Sequence, residues 1–243
     1  MSQKSEVVVR RAGRDDLGAI AGLEKEVYGG LGTACYGLEY AEAWLETNPE
    51  GLFVAEADGE VVGYLYCQVT QFGFDILDRF RDYDLVTDHG YTRQSHDPSG
   101  NCVQVVTMCS KSAGAGWALI RESDEYGRKT GRRYYLGLSR MPGLDSYLKK
   151  VESLSGPLDA KTAAKVALHY AIETVRSVNA HIWVEDSPEI VITLPELCDP
   201  DPVVRKHART PGAGLVAVLE NCMRDPGSRN FAALLVRETP ENK

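Results

Sequence analysis

Alternating hydrophobic and polar positions predict a chain in which strands and helices are interspersed. Runs with a period of two predict strands, and runs with an apolar residue every third or fourth position predict helices. The predicted strands are 6–12, Leu52–Ala57, Val61–Cys67, Val103–Met108, Arg133–Leu138, Leu215–Leu219 and Phe231–Val236. Ala180–Trp183 and Ile190–Leu194 are two further candidates for short strands.

Helical periodicity occupies most of the intervening chain. The predicted helices are Leu17–Val27, Leu38–Leu45, a short Asp75–Arg81, 117–129, Asp159–Val178 and 201–208. Asp15 is the predicted cap of the first helix, because a side-chain oxygen just before a helix can accept from its free N–H groups. Asp58-Gly59, between two alternating runs, predicts a tight hairpin turn.

A strand–loop–helix corner spans Val103–Trp117. Gly114 and Gly116 stand at the predicted helix start, where glycine allows the backbone to approach a ligand closely. The first N–H groups of that helix and the positive end of its dipole then face one spot, which suits an anion such as phosphate. The corner predicts a site for a phosphorylated small molecule, with an ordinary glycine turn as the alternative.

Three phosphate-binding loops can be compared with this corner. The chain has no Gly-x-x-x-x-Gly-Lys-Ser/Thr run, and Leu119 stands where a dinucleotide fingerprint needs its third glycine. The third pattern is Gln/Arg-x-x-Gly-x-Gly/Ala, the pyrophosphate loop of the GCN5-related N-acetyltransferase (GNAT) superfamily. Lys111–Gly116 resembles that loop at every position but the first, where Lys111 still provides a donor.

The resemblance to the GNAT superfamily extends over about residues 6–140, in the order strand, two helices, hairpin, strand–loop–helix and strand. It resumes near Asp201, where Asp-Pro-Val, His207 and Gly212 resemble a subgroup found alone or beside nitrilase-like domains. The resemblance implies an α/β (α+β) fold with a mixed central sheet of about seven strands flanked by helices. It also implies a single domain over 1–243, with insertions at about 72–100 and 143–197.

The function implied by the resemblance is acyl-CoA-dependent N-acyl transfer, with acetyl passing from acetyl-CoA, or another acyl from its acyl-CoA, to the amine of a small molecule by direct attack. A non-catalytic CoA-binding module and a protein-lysine acyltransferase are the competing functions. The residues that the resemblance assigns to the acyl-CoA are Val106, Thr107, Met108, Lys111, Ser112, Ala113, Gly114, Ala115 and Gly116. The first three would polarise the thioester carbonyl through a backbone N–H, and the others would hold the diphosphate.

Three side chains are candidates for catalysis. His207 is the nearest match to the Tyr that serves as general acid in most of the superfamily, although an exposed histidine at a helix end is the alternative. Tyr64, together with Tyr66 and Gln104, lies on strands expected to line the acceptor side. Arg140 follows the fifth strand and could hold an acceptor carboxylate with its planar fork, or anchor a loop.

Composition excludes some function classes. The net charge of −8 argues against nucleic-acid binding, which favours a basic surface. No apolar run reaches the ~20 residues that span a bilayer, and no secretory leader is visible, so we expect a cytoplasmic protein. None of the six cysteines forms a Cys-x-x-Cys pair, so no metal is expected. Cys109 is predicted to be buried, with a covalent acyl-enzyme as the alternative.

The two insertions have open roles. Residues 72–100 are either a lid over the acceptor cleft or a solvated excursion, and residues 143–197 are a possible surface for a homodimer.

Overall fold

A computed structural model describes residues 6–31, 35–112, 114–176, 181–182 and 213–239. Contacts divide the chain into two compact units, Met1–Leu136 with Thr239–Lys243, and Gly137–Glu238. The single-domain organisation over 1–243 stays a prediction. Among the described residues, no helix combines the length and the apolar character that crossing a bilayer requires.

The first unit contains the following elements: β1 (Val8–Arg11), α1 (Leu17–Tyr28), α2 (Leu38–Thr47), β2 (Leu52–Ala57), β3 (Glu60–Thr70), α3 (Tyr83–Val86), β4 (Cys102–Ser110) and α4 (Ala115–Lys129). Its strands pair antiparallel in the order β1–β2–β3–β4. The hairpin between β2 and β3 is confirmed. Asp58 and Gly59 form its turn with φ values of 53° and 80°, as a two-residue turn with both central residues at positive φ requires.

Each face of this sheet carries a separate apolar core because successive strand residues point to opposite sides. On one face, α1 and α2 pack their apolar stripes onto the strands, with Trp44 fully buried against Tyr64 and Tyr66. On the other face, α4 contributes Leu119 and Ile120. The expected sandwiching of the sheet between helices is therefore present in this unit.

The second unit contains β5 (Tyr134–Arg140, which begins in the first unit), α5 (Leu144–Ser155), α6 (Ala160–Arg176), β6 (His181–Ile182), β7 (Ala213–Leu219) and β8 (Ala232–Glu238). Its strand order is β5–β8–β7–β6, with β7 and β8 antiparallel and β6 and β7 parallel. Tyr147 and Leu148 of α5 and Tyr170 of α6 bury their side chains against this part of the sheet. The strands of the described residues number eight, close to the expected seven, and the sheet is mixed as expected.

Two local expectations need correction. Asp15 is exposed and does not cap the first helix; the buried carboxylate of Asp16 accepts from the Gly13 N–H at 2.7 Å and from both terminal nitrogens of Arg10. The segment Leu144–Ser155 within the second insertion is a helix, although its sequence predicted no element there.

The first insertion, 72–100, is not a solvated excursion. Its Tyr83, Thr87 and Thr92 are buried, and the indole N–H of Trp44 donates to the Gly90 carbonyl at 2.6 Å. The predicted short helix occurs as a 3-10 helix, Phe74–Arg81. The insertion is thus built into the core of the first unit, on the face that carries α1 and α2.

Candidate functional site

The loop between β4 and α4 enters the helix through a glycine in the left-handed region. Gly114 precedes α4 with a φ of 90°, a conformation that L side chains rarely adopt, and a Cβ added there would meet nothing within 4 Å. Gly114 therefore faces open space, and the first N–H groups of a helix lack intrahelical acceptors. Ala115 donates to the Ser112 carbonyl at 3.2 Å, so its N–H is already used. Ala113 lies outside the described residues.

Lys111 fixes the start of this loop through its backbone. Its N–H donates to the Val62 carbonyl at 3.0 Å, which ties the loop to β3. Its ammonium forms an exposed ion pair with Glu26 at 3.1 Å. Such a surface pair is weak, so the lysine can exchange this partner for another anion at little cost.

Strand β4 carries a bulge just before the loop. Tyr66 of β3 lies opposite Thr107 and Cys67 lies opposite Val105, so Val106 has no partner on β3. A bulge of this kind bends the strand and re-aims the backbone groups beside it. The irregularity falls within Val106–Met108, the stretch expected to present an N–H to a thioester carbonyl.

Two tyrosine hydroxyls satisfy backbone carbonyls of this stretch. Tyr28, at the end of α1, donates to the Met108 carbonyl at 2.7 Å. Tyr83, on the first insertion, donates to the Val106 carbonyl. Because side chains supply these hydrogen bonds, the two carbonyls do not depend on a neighbouring strand for a partner.

The solvent exposure of β4 changes at the same point. Cys102 through Val106 are all buried, whereas Thr107 and Met108 are partly exposed. Partial exposure continues at Ser110, where the strand ends and the loop begins. Thr107, Met108 and Ser110 at the end of β4, and Lys111, Ser112 and Gly114 of the loop, are thus at least partly exposed, while Cys109 among them is buried.

A buried carboxylate lies behind this stretch. Glu24 of α1 is 1% exposed and accepts from the Tyr64 hydroxyl, from Thr107 Oγ1 at 3.1 Å and from the Tyr36 N–H at 3.2 Å. Sequence reasoning missed Glu24. The available signal was its place on the apolar stripe of α1, one turn after Ile20, where a carboxylate needs a polar partner inside the core.

Tyr64 is a fixed hydrogen-bond donor in this cluster. Burial and the neighbouring Glu24 carboxylate raise the pKa of Tyr64 well above its usual value, so its hydroxyl keeps its proton at neutral pH. A protonated phenol cannot serve as a general base. Direct contact between Tyr64 and an acceptor stays a prediction.

Arg140 lies in the second unit, where its fork is paired. Its Nε and one terminal nitrogen donate to Asp225 at 2.7 and 3.0 Å. Asp225 is 1% exposed and also accepts from the Ser228 hydroxyl at 2.6 Å. Burial raises the pKa of Asp225, but the Arg140 and Ser228 hydrogen bonds outweigh it and the pKa lies below its usual value. Arg140 thus anchors a loop in this structure; contact with an acceptor carboxylate stays a prediction.

His207, Cys109 and Gln104 are the other candidates from the sequence. His207 lies outside the described residues. Cys109 is buried with its thiol toward the Leu23 carbonyl, as a core residue would be. Gln104 is fully buried and accepts from the Gln68 amide at 3.1 Å. Among the described residues, no group of three or more His, Cys, Asp or Glu side chains is arranged to hold a metal ion.

Solved structures of other proteins match nearly the whole chain. One is described as a GphF GNAT-like decarboxylase in complex with isobutyryl-CoA, with a TM-score of 0.64 and 17% identity over 95% of this chain and 98% of that one. Another is the loading GNATL domain of CurA from Lyngbya majuscula, with a TM-score of 0.62 and 16% identity over 96% and 98%. At these identities the likeness shows the fold alone. The chain has the GNAT acyl-CoA acyltransferase fold, as its sequence predicts.

A curated protein is similar in sequence to part of the chain. No protein-family model matches the chain. A curated relative, "Probable hydrolase YhcX" of Bacillus subtilis (strain 168), is 31% identical over 97 residues. That match covers 40% of this chain and 18% of the relative, so the chain corresponds to a small part of that protein. An association with nitrilase-like domains stays a prediction.

Proposed function

We propose that the chain is an acyl-CoA-dependent N-acyltransferase that passes an acyl group, acetyl foremost, to the amine of a small molecule by direct attack. One observation carries the proposal: the bulged end of β4, where Thr107 and Met108 are partly exposed, lies within a few residues of the loop that opens α4 at Gly114. A thioester and the diphosphate of its CoA need such neighbouring sites.

Binding of the acyl-CoA would rest on backbone groups. The diphosphate suits the N–H groups at the start of α4, with the helix dipole behind them and open space over Gly114. Lys111 lies in sequence just before the start of α4. Its ammonium would leave its surface pair with Glu26 and bind the diphosphate instead. No charged side chain needs to be buried for this arrangement.

Acyl transfer needs a polarised carbonyl and a neutral amine. A backbone N–H of Val106–Met108, re-aimed by the bulge, would donate to the carbonyl oxygen as it gains negative charge, an effect that can lower a barrier by about 3 kcal/mol. The amine lone pair attacks the carbonyl carbon, a base takes one proton from the nitrogen directly or through water, and the C–S bond breaks as the carbonyl re-forms. The thiolate then takes a proton, for which His207 is the sequence-based candidate.

Thermal unfolding and thiol release test this function together. Acetyl-, succinyl- and longer acyl-CoA are added to the purified chain, and a ligand that binds only the native state should raise Tm. The same thioesters are then incubated with a panel of small amines while free CoA thiol is measured. A rise in Tm with amine-dependent thiol release supports the proposal; the absence of both contradicts it.

A second candidate is decarboxylation of an acyl-CoA that carries a β-carboxylate. It is favoured by the likeness to a protein described as a decarboxylase and to one described as a loading domain, both with TM-scores above 0.6. Mass spectrometry distinguishes the two reactions: decarboxylation removes carbon dioxide from the acyl group and leaves the thioester intact, whereas acyl transfer releases the thiol.

The same assay separates a CoA-binding module and a protein-lysine acyltransferase from the proposed enzyme. A CoA-binding module would show the Tm rise without any chemistry. A protein-lysine acyltransferase would modify basic peptides, which the net charge of −8 would attract, in preference to small amines. We retain a small-molecule amine as the proposed partner, with homodimer formation and a cytoplasmic location as further expectations.

A further inference from the structure

The contact between Thr107 and Glu24 joins a partly exposed residue to a buried carboxylate. Thr107 Oγ1 lies 3.1 Å from Glu24 Oε1, and Thr107 is partly exposed while Glu24 is 1% exposed. A substrate cannot reach Glu24 directly. Thr107, in the bulged stretch of β4, is the partly exposed member of the pair and so the one that a substrate would meet.

Among the described residues, three donors from three parts of the first unit hold the carboxylate in one orientation. The Tyr64 hydroxyl of β3 and the Thr107 hydroxyl of β4 share Oε1, and the Tyr36 N–H occupies Oε2. A hydroxyl has one proton and two lone pairs. With its proton directed to Glu24, Thr107 has lone pairs left to accept a hydrogen bond from outside the cluster.

We propose that Thr107 is a catalytic residue that takes the proton of the attacking amine, and that Glu24 is the positioning residue that orients the Thr107 hydroxyl and receives its proton. This inference rests on the proposed N-acyltransferase function and supplies the base that the sequence did not identify.

The reaction moves two protons in succession, from the amine to Thr107 and from Thr107 to Glu24. The amine nitrogen forms a bond to the thioester carbon, and the electrons of the C=O bond move to its oxygen. One N–H bond breaks and its proton passes to Thr107 Oγ1, while the proton already on Thr107 Oγ1 passes to Glu24 Oε1. The C–S bond then breaks and the thiolate takes a proton from a separate acid. Thr107 then releases a proton to water and takes back the proton from Glu24, which restores the carboxylate before the next turnover.

Tyr64 has a different part in this arrangement. Its hydroxyl lies 3.3 Å from Thr107 Oγ1 and also donates to Glu24. Because burial and Glu24 raise the pKa of Tyr64, it stays protonated and holds the carboxylate in place. Titratable groups that interact with Glu24 include Tyr64, Tyr36 and Cys35, and all three have raised pKa values.

Four variants test this proton relay, in which the amine proton passes to Thr107 and the Thr107 proton passes to Glu24. Glu24→Gln keeps the size of the side chain but cannot accept a proton at neutral pH. Thr107→Val removes the hydroxyl with little change in shape, and Thr107→Ser retains it. Thr92→Val is the matched control, because Thr92 is a buried hydroxyl of the same unit that pairs with Tyr66 at 2.8 Å and stands outside the proposed site.

The readouts are kcat and its pH profile at saturating acyl-CoA and amine. We expect Glu24→Gln and Thr107→Val to lower kcat about 100-fold or more, in line with the loss of general base catalysis. The KM for acyl-CoA and its Tm shift should stay close to wild type in both. The pH profile of the wild-type kcat should contain a limb on which kcat rises with pH. This limb should be absent from the profiles of Glu24→Gln and Thr107→Val. Thr107→Ser should restore most of the rate, and Thr92→Val should retain it.

The outcomes separate the relay from the proposed function. A wild-type chain that releases no thiol with any amine would overturn both. A wild-type chain that turns over while Glu24→Gln and Thr107→Val keep its kcat and pH profile would overturn the relay alone. A rate lost in Thr107→Ser as fully as in Thr107→Val would also overturn it, since a structural role of the threonine would then explain both.

Discussion

Thr107 and Glu24 stand 83 positions apart in the chain, yet their side chains share a hydrogen bond of 3.1 Å. The contact joins α1 to β4 beside the core cluster that contains Ile20, Leu23 and Tyr64. A buried carboxylate is costly unless it is hydrogen-bonded, and here the donors within the described part of the chain include Tyr64, Thr107 and the Tyr36 N–H. The same contact places the Glu24 carboxylate beside the bulged stretch of β4. The residues that stabilise this core therefore also take part in the proposed chemistry.

Gly114→Ala should weaken acyl-CoA binding more than it weakens the fold. At a φ of 90° an alanine is strained by about 1–2 kcal/mol, and its methyl group would occupy the open space where the diphosphate is proposed to sit. Gly131→Ala is the matched control, because Gly131 has a φ of 70° and equally open surroundings at the other end of α4. We expect the two variants to lower Tm by similar amounts, measured by thermal unfolding. Only Gly114→Ala should lose the Tm shift with acetyl-CoA; equal shifts in the two would argue against a diphosphate site at Gly114.

Tyr28→Phe and Tyr83→Phe should disturb the end of β4. Each removes the hydroxyl that satisfies a backbone carbonyl, at Met108 and Val106 respectively, and each should lower the free energy of unfolding by about 1–3 kcal/mol. Because the two carbonyls flank Thr107, the variants should also lower kcat/KM. Tyr66→Phe, which removes a buried hydroxyl bonded to Thr92, is the comparison. Denaturant unfolding measures the free energy of unfolding, and thiol release measures kcat/KM. If Tyr66→Phe lowered kcat/KM as much as the other two variants, the effect would not be specific to Val106–Met108.

Local sequence signals predicted most of the fold. The Asp58-Gly59 turn, the corner at Gly114 and the helical period of α6 are each set by a few neighbouring residues. Helix α5 was not predicted although Leu144, Leu148 and Val151 follow a helical period, because that period is short and glycine and proline flank it at both ends, as they also flank loops.

The polar contacts of the site could not be predicted from the sequence. Arg140 and Asp225 are 85 positions apart, and which of several carboxylates would occupy the arginine fork depends on how the strands are arranged. The bulge at Val106 depends in the same way on the register between β3 and β4. Periodicity identifies a buried face, but it does not show which polar groups meet there.

His96 should make the first unit less stable as the pH falls. Burial, with Arg132 contributing, lowers the pKa of His96, and its neutral Nδ1 accepts from the Val69 N–H at 3.1 Å. Because the folded chain disfavours the charged form, the unfolded chain binds more protons below pH ~6.5, and stability falls as the pH drops through that value and toward the folded pKa. His96→Asn, whose side-chain oxygen can accept from the same N–H, should remove this part of the pH dependence. Tm measured against pH checks it, and identical slopes for the two proteins would contradict the assignment.

Arg140→Met distinguishes a loop anchor from a ligand for the acceptor. Asp225 is 1% exposed, so loss of the guanidinium leaves a buried carboxylate without its cation and should lower the free energy of unfolding by about 3 kcal/mol. The lowered pKa of Asp225 contributes stability above the usual aspartate pKa, and that stability is lost as the pH falls through the folded pKa. In the variant the pKa of Asp225 rises towards or above its unfolded value, so this part of the acid-induced loss of stability should shrink or disappear. Arg229→Met, which breaks partly exposed pairs with Asp145 and Glu152, should cost about 1 kcal/mol or less. Denaturant unfolding across pH measures both variants. If Arg140→Met instead raised the KM for the acceptor with little loss of stability, the arginine fork would be assigned to the acceptor carboxylate.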